Sequence, residues 1–137
     1  SSRLSKALDS GGFILEYQPI LPIKEVDVDS LPVEPNRLWA EFSHLPDHYE
    51  VLVRLEDGGD DAVSPSAFMP MAERFNLIQH IDLWVVNESS RVLEKLREQG
   101  RSASFSVNLS GTTLNSSAIL NEIEKNLKAS NLPPSSL

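Results

Sequence analysis

Apolar and polar residues alternate along residues 49–55, which read YEVLVRL. Successive side chains of a β-strand point to opposite faces, so this stretch predicts a strand with an apolar face of Val51, Val53 and Leu55. The opposite face consists of Glu50, Leu52 and Arg54. These charges would lie in solvent on an antiparallel sheet that is covered on one side only. In a β/α barrel they would instead point inward, towards the mouth at which such barrels bind ligands.

Two further stretches divide in the same way. Residues 13–20 (FILEYQPI) predict a strand whose more polar face includes Gln18, although a lone glutamine is more often simply exposed. Residues 102–108 (SASFSVN) predict a strand whose serine face ends at Asn108. Side chains at the carboxyl ends of strands are the ones that form the active sites of barrels.

Helical spacing of apolar residues follows two of these strands. Residues 78–99 predict the longest helix, and Gly100 is its expected left-handed cap. A second helix is predicted after the Asn-Ser-Ser cap at residues 115–117. Shorter helices are predicted near residues 1–10, where Gly11-Gly12 ends the helix, and near residues 64–75. This order of elements predicts an α/β fold that forms the first part of a TIM-type barrel. A doubly wound sheet is the alternative, but no glycine-rich phosphate loop follows any strand.

The segment at about residues 24–48 interrupts this pattern. It contains several prolines and the acidic run EVDVD, so we expect an irregular insertion between the first two strands. The acidic run lacks the glycine and the terminal glutamate of a calcium loop, and it is therefore not a predicted calcium site.

Composition excludes several classes of function. The chain has 137 residues, a net charge of -8 and no cysteine. The charge argues against a binder of nucleic acid polymers, and the lack of cysteine excludes disulfides and thiolate metal sites. No apolar run approaches the roughly 20 residues that span a bilayer, so we expect no membrane insertion of this segment.

Four blocks of sequence together resemble the EAL-domain family. They are YQPI at residues 17–20, EVLVR at 50–54, SPSAFMPMAERFNLI at 64–78 and VNLS at 107–110. The signature tripeptide has Val51 in place of its middle alanine. The resemblance implies a TIM-type barrel that acts as a cyclic di-GMP phosphodiesterase. Some members of the family are instead degenerate, non-catalytic cyclic di-GMP receptors, and this alternative stays open.

The resemblance also implies roles for individual residues. Glu50 and Asn108 would be ligands of Mg²⁺ or Mn²⁺, with Glu50 also essential to catalysis. Arg54 would hold a phosphate of the ligand, Gln18 would contact the ligand, and Leu52 would pack near a guanine. The metal would activate water to attack one phosphodiester bond, which yields pGpG.

The family has further metal and proton-transfer residues in the second half of its barrel. They include a glutamate in an E-x-T-E strand and an aspartate pair followed by Phe-Gly, and this chain ends before them. We therefore expect residues 1–137 to form the N-terminal part of one EAL-like domain that is inactive alone. For the full-length protein the resemblance implies an upstream sensor or GGDEF domain and a cytoplasmic location. It is also compatible with a homodimer.

Overall fold

The structure is a computed structural model that describes residues 2–20, 29, 47–56 and 63–137. Its helices are α1 (Ser2–Ser10), α2 (Pro65–Arg74), α3 (Ile78–Glu98), α4 (Gly111–Leu114) and α5 (Ser117–Ala129), with a 3₁₀ turn at Pro134–Ser136. Its strands are β1 (Phe13–Ile20), β2 (His48–Leu55) and β3 (Ser104–Val107). None of the helices in the described part of the chain is long and apolar enough to cross a membrane.

The three strands form one mixed sheet in the order β1-β2-β3. β1 and β2 are antiparallel, with Phe13 opposite Leu55 and Ile20 opposite His48. β2 and β3 are parallel, and the long connection between them includes α2 and α3. Parallel neighbours need a crossover of this kind, so the α/β prediction is confirmed. Most of the predicted insertion at about residues 24–48 lies outside the described residues, and its role stays a prediction.

The apolar faces of the strands form one side of the hydrophobic core. Val51, Leu55 and Phe105 are each only 3% exposed. They pack against buried side chains of the surrounding helices, namely Leu4, Ala7, Phe68, Ala72, Ile81 and Val85. Because side chains alternate along a strand, this packing directs the faces that contain Glu50 and Asn108 away from the helices.

Two glycines end helices at the positions that the sequence predicts. Gly11 (φ 82°) follows α1 and Gly100 (φ 76°) follows α3. Positive φ is strained for residues that have a Cβ atom, which explains glycine at both ends. The Gly11 N–H donates to the Ala7 carbonyl at 3.1 Å, and the chain then turns directly into β1.

Within the described part of the chain, the sheet has an open edge at β3, because β3 pairs with β2 and no strand borders its other side. Beside that edge lies a groove of about 480 Å³, whose lining includes Phe105, Val107, Ile123 and Leu127. Unpaired strand edges and exposed apolar grooves promote association.

We therefore expect residues 1–137, produced alone, to associate or aggregate rather than unfold cooperatively from a monomeric state. Light scattering with intact mass, followed by thermal unfolding, measures both properties. The same residues within the full-length protein are the control. A monodisperse monomer with a single cooperative transition would contradict the expectation and would show that this part of the fold is self-sufficient.

Candidate functional site

The pairing of β1 with β2 brings the predicted ligand-binding residues onto one face. Gln18 lies opposite Glu50, and Glu16 lies opposite Leu52. Directly opposite residues of an antiparallel pair project to the same side, with Cβ atoms about 4.5–5.5 Å apart. The face away from the helices therefore combines the amide of Gln18 with the carboxylate of Glu50.

Asn108 joins this face from β3. Glu50 is in register with Ser106, so Asn108 lies two residues further along, just beyond the carboxyl end of β3. The Asn108 Nδ2 atom donates a hydrogen bond of 3.0 Å to Glu50 Oε1. The structure thus brings together the two residues that the sequence analysis assigns to a metal. Their role as metal ligands stays a prediction.

These two side chains suit a hard divalent cation. Carboxylate and amide oxygens are the donors that Mg²⁺ and Mn²⁺ prefer. Mg²⁺ is usually held by one or two carboxylates together with waters and substrate phosphates, so a small protein donor set is compatible with it. No group of three or more His, Cys, Asp or Glu residues that could hold a metal occurs among the described residues. Glu50 and Asn108 therefore fit as one part of a cation site.

Arg54 lies on the same face and pairs with an acidic residue that the sequence analysis did not assign to the site. Its Nε atom is 3.3 Å from Glu16 Oε2, and the Arg54 side chain is 21% exposed. The Arg54 Nη1 atom donates to the Val53 carbonyl at 3.0 Å. A guanidinium carries five N–H donors, which leaves donors for an incoming phosphate. The shared parity of Glu16 and Gln18 was the signal that could have identified Glu16.

His48 extends the polar face toward the amino-terminal end of β2. Its Nδ1 and Nε2 atoms lie 2.6 Å from Ser104 Oγ and 2.8 Å from Ser106 Oγ. These two contacts link β2 to β3 next to Glu50. The sequence analysis placed His48 in the irregular segment and therefore did not consider it.

A buried carboxylate anchors the turn that follows Asn108. Asp82, near the start of α3, is 4% exposed. Its Oδ2 atom accepts hydrogen bonds from the Ser110 N–H at 2.8 Å and from Thr113 Oγ1 at 2.6 Å. The sequence analysis treated Asp82 as part of an ordinary amphipathic helix. An acid next to Ile81, a member of the apolar stripe, was the available signal.

Among the described residues, the groups near the sheet whose pKa is shifted lie on the face opposite the one that carries Glu50. Burial raises the pKa of Tyr17, the charge of Glu88 raises that pKa further, and Arg91 lowers it. A hydrogen bond from Arg91 holds the pKa of Glu88 below its usual value, against the opposing effect of burial. The Tyr17 ring packs against Phe105 with 5.1 Å between centroids. This arrangement is consistent with packing rather than chemistry.

Val51, which stands in place of the middle alanine of the signature tripeptide, lies away from the polar face. Val51 is 3% exposed and belongs to the core. Its neighbours Glu50 and Leu52 project to the opposite face of β2. The replacement of alanine by valine therefore changes packing against the helices and leaves the polar face in place.

Comparison with known proteins identifies the family. The EAL domain family model matches residues 43–137. The oxygen sensor protein DosP of Escherichia coli K12 is 35% identical over 127 residues, which cover 92% of this chain and 14% of that protein. Cyclic di-GMP phosphodiesterase PdeF of the same organism is 28% identical over 113 residues, which cover 82% of this chain and 12% of PdeF.

A solved structure extends the likeness to three dimensions. The FimX EAL domain from Pseudomonas aeruginosa bound to c-di-GMP superposes with a TM-score of 0.75 and 29% identity, over 99% of this chain and 47% of that one. The chain thus spans about half of a solved EAL domain, and the predicted partial TIM-type barrel is confirmed. With the family model matching residues 43–137, the chain belongs to the EAL domain family.

Proposed function

We propose that residues 1–137 are the N-terminal part of an EAL domain that hydrolyses cyclic di-GMP to pGpG with Mg²⁺ or Mn²⁺ in the full-length protein. The observation that carries the proposal is the convergence of Glu50 and Asn108, which share a 3.0 Å hydrogen bond at the carboxyl end of β3. The similarity to a protein named as a cyclic di-GMP phosphodiesterase supports the same activity.

The polar face of β1 and β2 has the chemistry that cyclic di-GMP requires. The ligand carries anionic phosphodiesters and planar guanines. The guanidinium of Arg54 matches the geometry of a phosphate, and charge-assisted hydrogen bonds of this type are among the strongest. Gln18 adds an amide that can donate and accept, opposite Glu50. Leu52, between Glu50 and Arg54, adds an apolar surface on which a guanine can pack.

A divalent cation would bind to Glu50 and Asn108 at this face. Such a cation, when bound, activates water as a nucleophile and offsets phosphate charge. The chain's own residues then have separate tasks. Glu50 supplies the anionic ligand, Asn108 supplies a neutral one, and Arg54 orients the phosphodiester. The net charge of -8 does not prevent anion binding, because salt screens distant charges while Arg54 lies in the site.

The alternative is a receptor that binds cyclic di-GMP without hydrolysing it. Arg54, Gln18 and Leu52 form a binding face that needs no metal. The likeness to the FimX EAL domain bound to c-di-GMP supports binding as such and leaves turnover open.

Binding and turnover are separated by two measurements on the full-length protein. Calorimetry in EDTA measures metal-free binding of cyclic di-GMP, and chromatography of pGpG with Mg²⁺ or Mn²⁺ measures hydrolysis. Binding of cyclic di-GMP together with formation of pGpG supports the enzyme, whereas binding without pGpG formation supports the receptor. The absence of both would refute the two proposals together.

We also propose that the full-length protein is a cytoplasmic signalling protein with an upstream sensor or GGDEF domain, and that it can form a homodimer. The support is the match to DosP, a protein named as an oxygen sensor, of which this chain covers only 14%. Light scattering of the full-length protein measures its oligomeric state.

Replacing Glu16 with glutamine is expected to increase metal-free affinity for cyclic di-GMP. The Glu16 Oε2 atom lies 3.3 Å from Arg54 Nε, so a bound phosphate must compete with the Glu16 carboxylate for Arg54. Exposed ion pairs contribute about 0.2–1 kcal/mol, so we expect roughly a one-and-a-half- to fivefold gain that shrinks at high salt. Calorimetry at two ionic strengths measures the change. Glu122→Gln, the same charge change at an exposed position of α5, is the control. Weaker binding would show that Glu16 instead supports Arg54.

A further inference from the structure

Asp82, Ser110 and Thr113 form a closed cluster of hydrogen bonds behind Asn108. One carboxylate oxygen of Asp82 accepts from the Ser110 N–H at 2.8 Å and from Thr113 Oγ1 at 2.6 Å. Ser110 Oγ accepts from the Thr113 N–H at 3.2 Å and donates to Thr113 Oγ1 at 3.1 Å. Thr113 is fully buried. A buried carboxylate is tolerated only where such donors replace water, so this cluster has one strongly preferred arrangement.

The cluster fixes the backbone on one side of Asn108, and β3 fixes it on the other. Val107 is the last residue of β3, and Ser110 is bonded to Asp82. Only Leu109 separates Asn108 from that anchored residue. The position of the Asn108 backbone therefore depends on α3, through Asp82, as well as on the sheet.

The hydrogen bond between Asn108 and Glu50 needs this support. Both side chains belong to an exposed pair, in which water competes for the same donors and acceptors. The charge-assisted bonds of Asp82 are shielded from water and are therefore stronger. Loosening the buried cluster should widen the range of positions of the Asn108 amide. Loss of the hydrogen bond between Asn108 and Glu50, by contrast, should have little effect on the cluster.

We infer that Asp82 and Thr113 are positioning residues, which hold Asn108 against Glu50 and thereby set the divalent-metal affinity of the proposed site. The inference rests on the proposed function for its metal. Its geometric part, the placement of Asn108, stands on the hydrogen bonds alone. Supporting residues of this kind typically change metal affinity by about 10- to 100-fold when they are mutated.

The experiment compares Thr113→Val with Thr113→Ser in the full-length protein. Valine fills the same volume without the hydroxyl, and serine keeps the hydroxyl. We expect Thr113→Val to weaken Mn²⁺ binding by about tenfold, measured by the paramagnetic resonance of free Mn²⁺, and Thr113→Ser to stay close to wild type. Metal-free binding of cyclic di-GMP should be unchanged in both. Crystal structures without metal should show the Asn108 amide displaced from Glu50 in Thr113→Val alone.

A control and a second variant separate positioning from general destabilisation. Thr112→Val makes the same chemical change at the exposed neighbouring position of α4 and should leave Mn²⁺ affinity unchanged. Asp82→Asn weakens the cluster while keeping its shape, and it should lower Mn²⁺ affinity as Thr113→Val does. Equal losses of Mn²⁺ affinity in Thr112→Val and Thr113→Val would overturn the inference, as would an undisplaced Asn108. If wild type bound no Mn²⁺, the proposed metal site would fail, and the Asn108 displacement in the crystal structures would still decide the positioning role.

Discussion

Glu50→Gln should abolish metal-dependent hydrolysis of cyclic di-GMP while largely preserving metal-free binding. Glutamine keeps the shape of the side chain and its place opposite Gln18, but it replaces an anionic metal ligand with a neutral one. A catalytic metal supplies several kcal/mol of transition-state stabilisation, and each 1.36 kcal/mol is a factor of ten in rate. The expected loss in kcat is therefore at least about a thousandfold.

The measurement is the rate of pGpG formation by full-length protein in Mn²⁺, with calorimetry in EDTA as the binding readout. Glu98→Gln is the matched control, since Glu98 is exposed at the end of α3. Hydrolysis at the wild-type rate would show that Glu50 is not a catalytic metal ligand. Loss of metal-free binding as well would assign Glu50 to the dinucleotide itself.

Arg54→Ala should weaken cyclic di-GMP binding by about 1.5–3 kcal/mol, the scale of a hydrogen bond to a charged group. This free energy corresponds to roughly a 10- to 150-fold increase in Kd. Arg54→Lys should have an intermediate effect, because lysine keeps the charge but lacks the planar fork that binds phosphate. Calorimetry in EDTA measures all three affinities without interference from turnover.

Arg91→Ala is the matched control for Arg54→Ala, since Arg91 is an exposed arginine that pairs with Glu88 on α3. The double variant Glu16→Gln/Arg54→Ala completes a cycle with the single variants. Non-additivity in this cycle would show that Glu16 acts on the ligand through Arg54. Unchanged affinity in Arg54→Ala would remove Arg54 from the phosphate site.

These variants divide the polar face into a binding part and a metal-binding part. Arg54 and Gln18 lie on the antiparallel pair of strands, whereas Glu50 and Asn108 join β2 to β3. A receptor would keep the first part and could lose the second without losing affinity. The contrast between Arg54→Ala and Glu50→Gln therefore distinguishes the two proposed functions.

The alternation of residue types was sufficient to predict which side chains share a face. The bounds of β1 and the glycine caps of α1 and α3 agree with the sequence prediction. Each depends on local physics, namely side-chain parity or the low cost of positive φ at glycine. Parity also predicted that Glu50 and Arg54 would share one face and Val51 the other, because burial of the apolar face dominates the orientation of the strand.

The tertiary structure alone decided which residues meet across that face. Register places Gln18 opposite Glu50 and Glu16 beside Arg54, and no local pattern encodes the alignment of strands separated by a long connection. The predicted third strand shortens to Ser104–Val107, because only those residues pair with β2.

The clearest case is Asp82, which lies on the second turn of α3 and binds Ser110 and Thr113. Helical periodicity places Asp82 near the apolar stripe but says nothing about its partners, which follow β3 in the chain. Its hydrogen bonds form only when α3 packs across the parallel strands. Sequence patterns therefore determined the elements and their faces, whereas packing between distant elements determined the contacts that build the site.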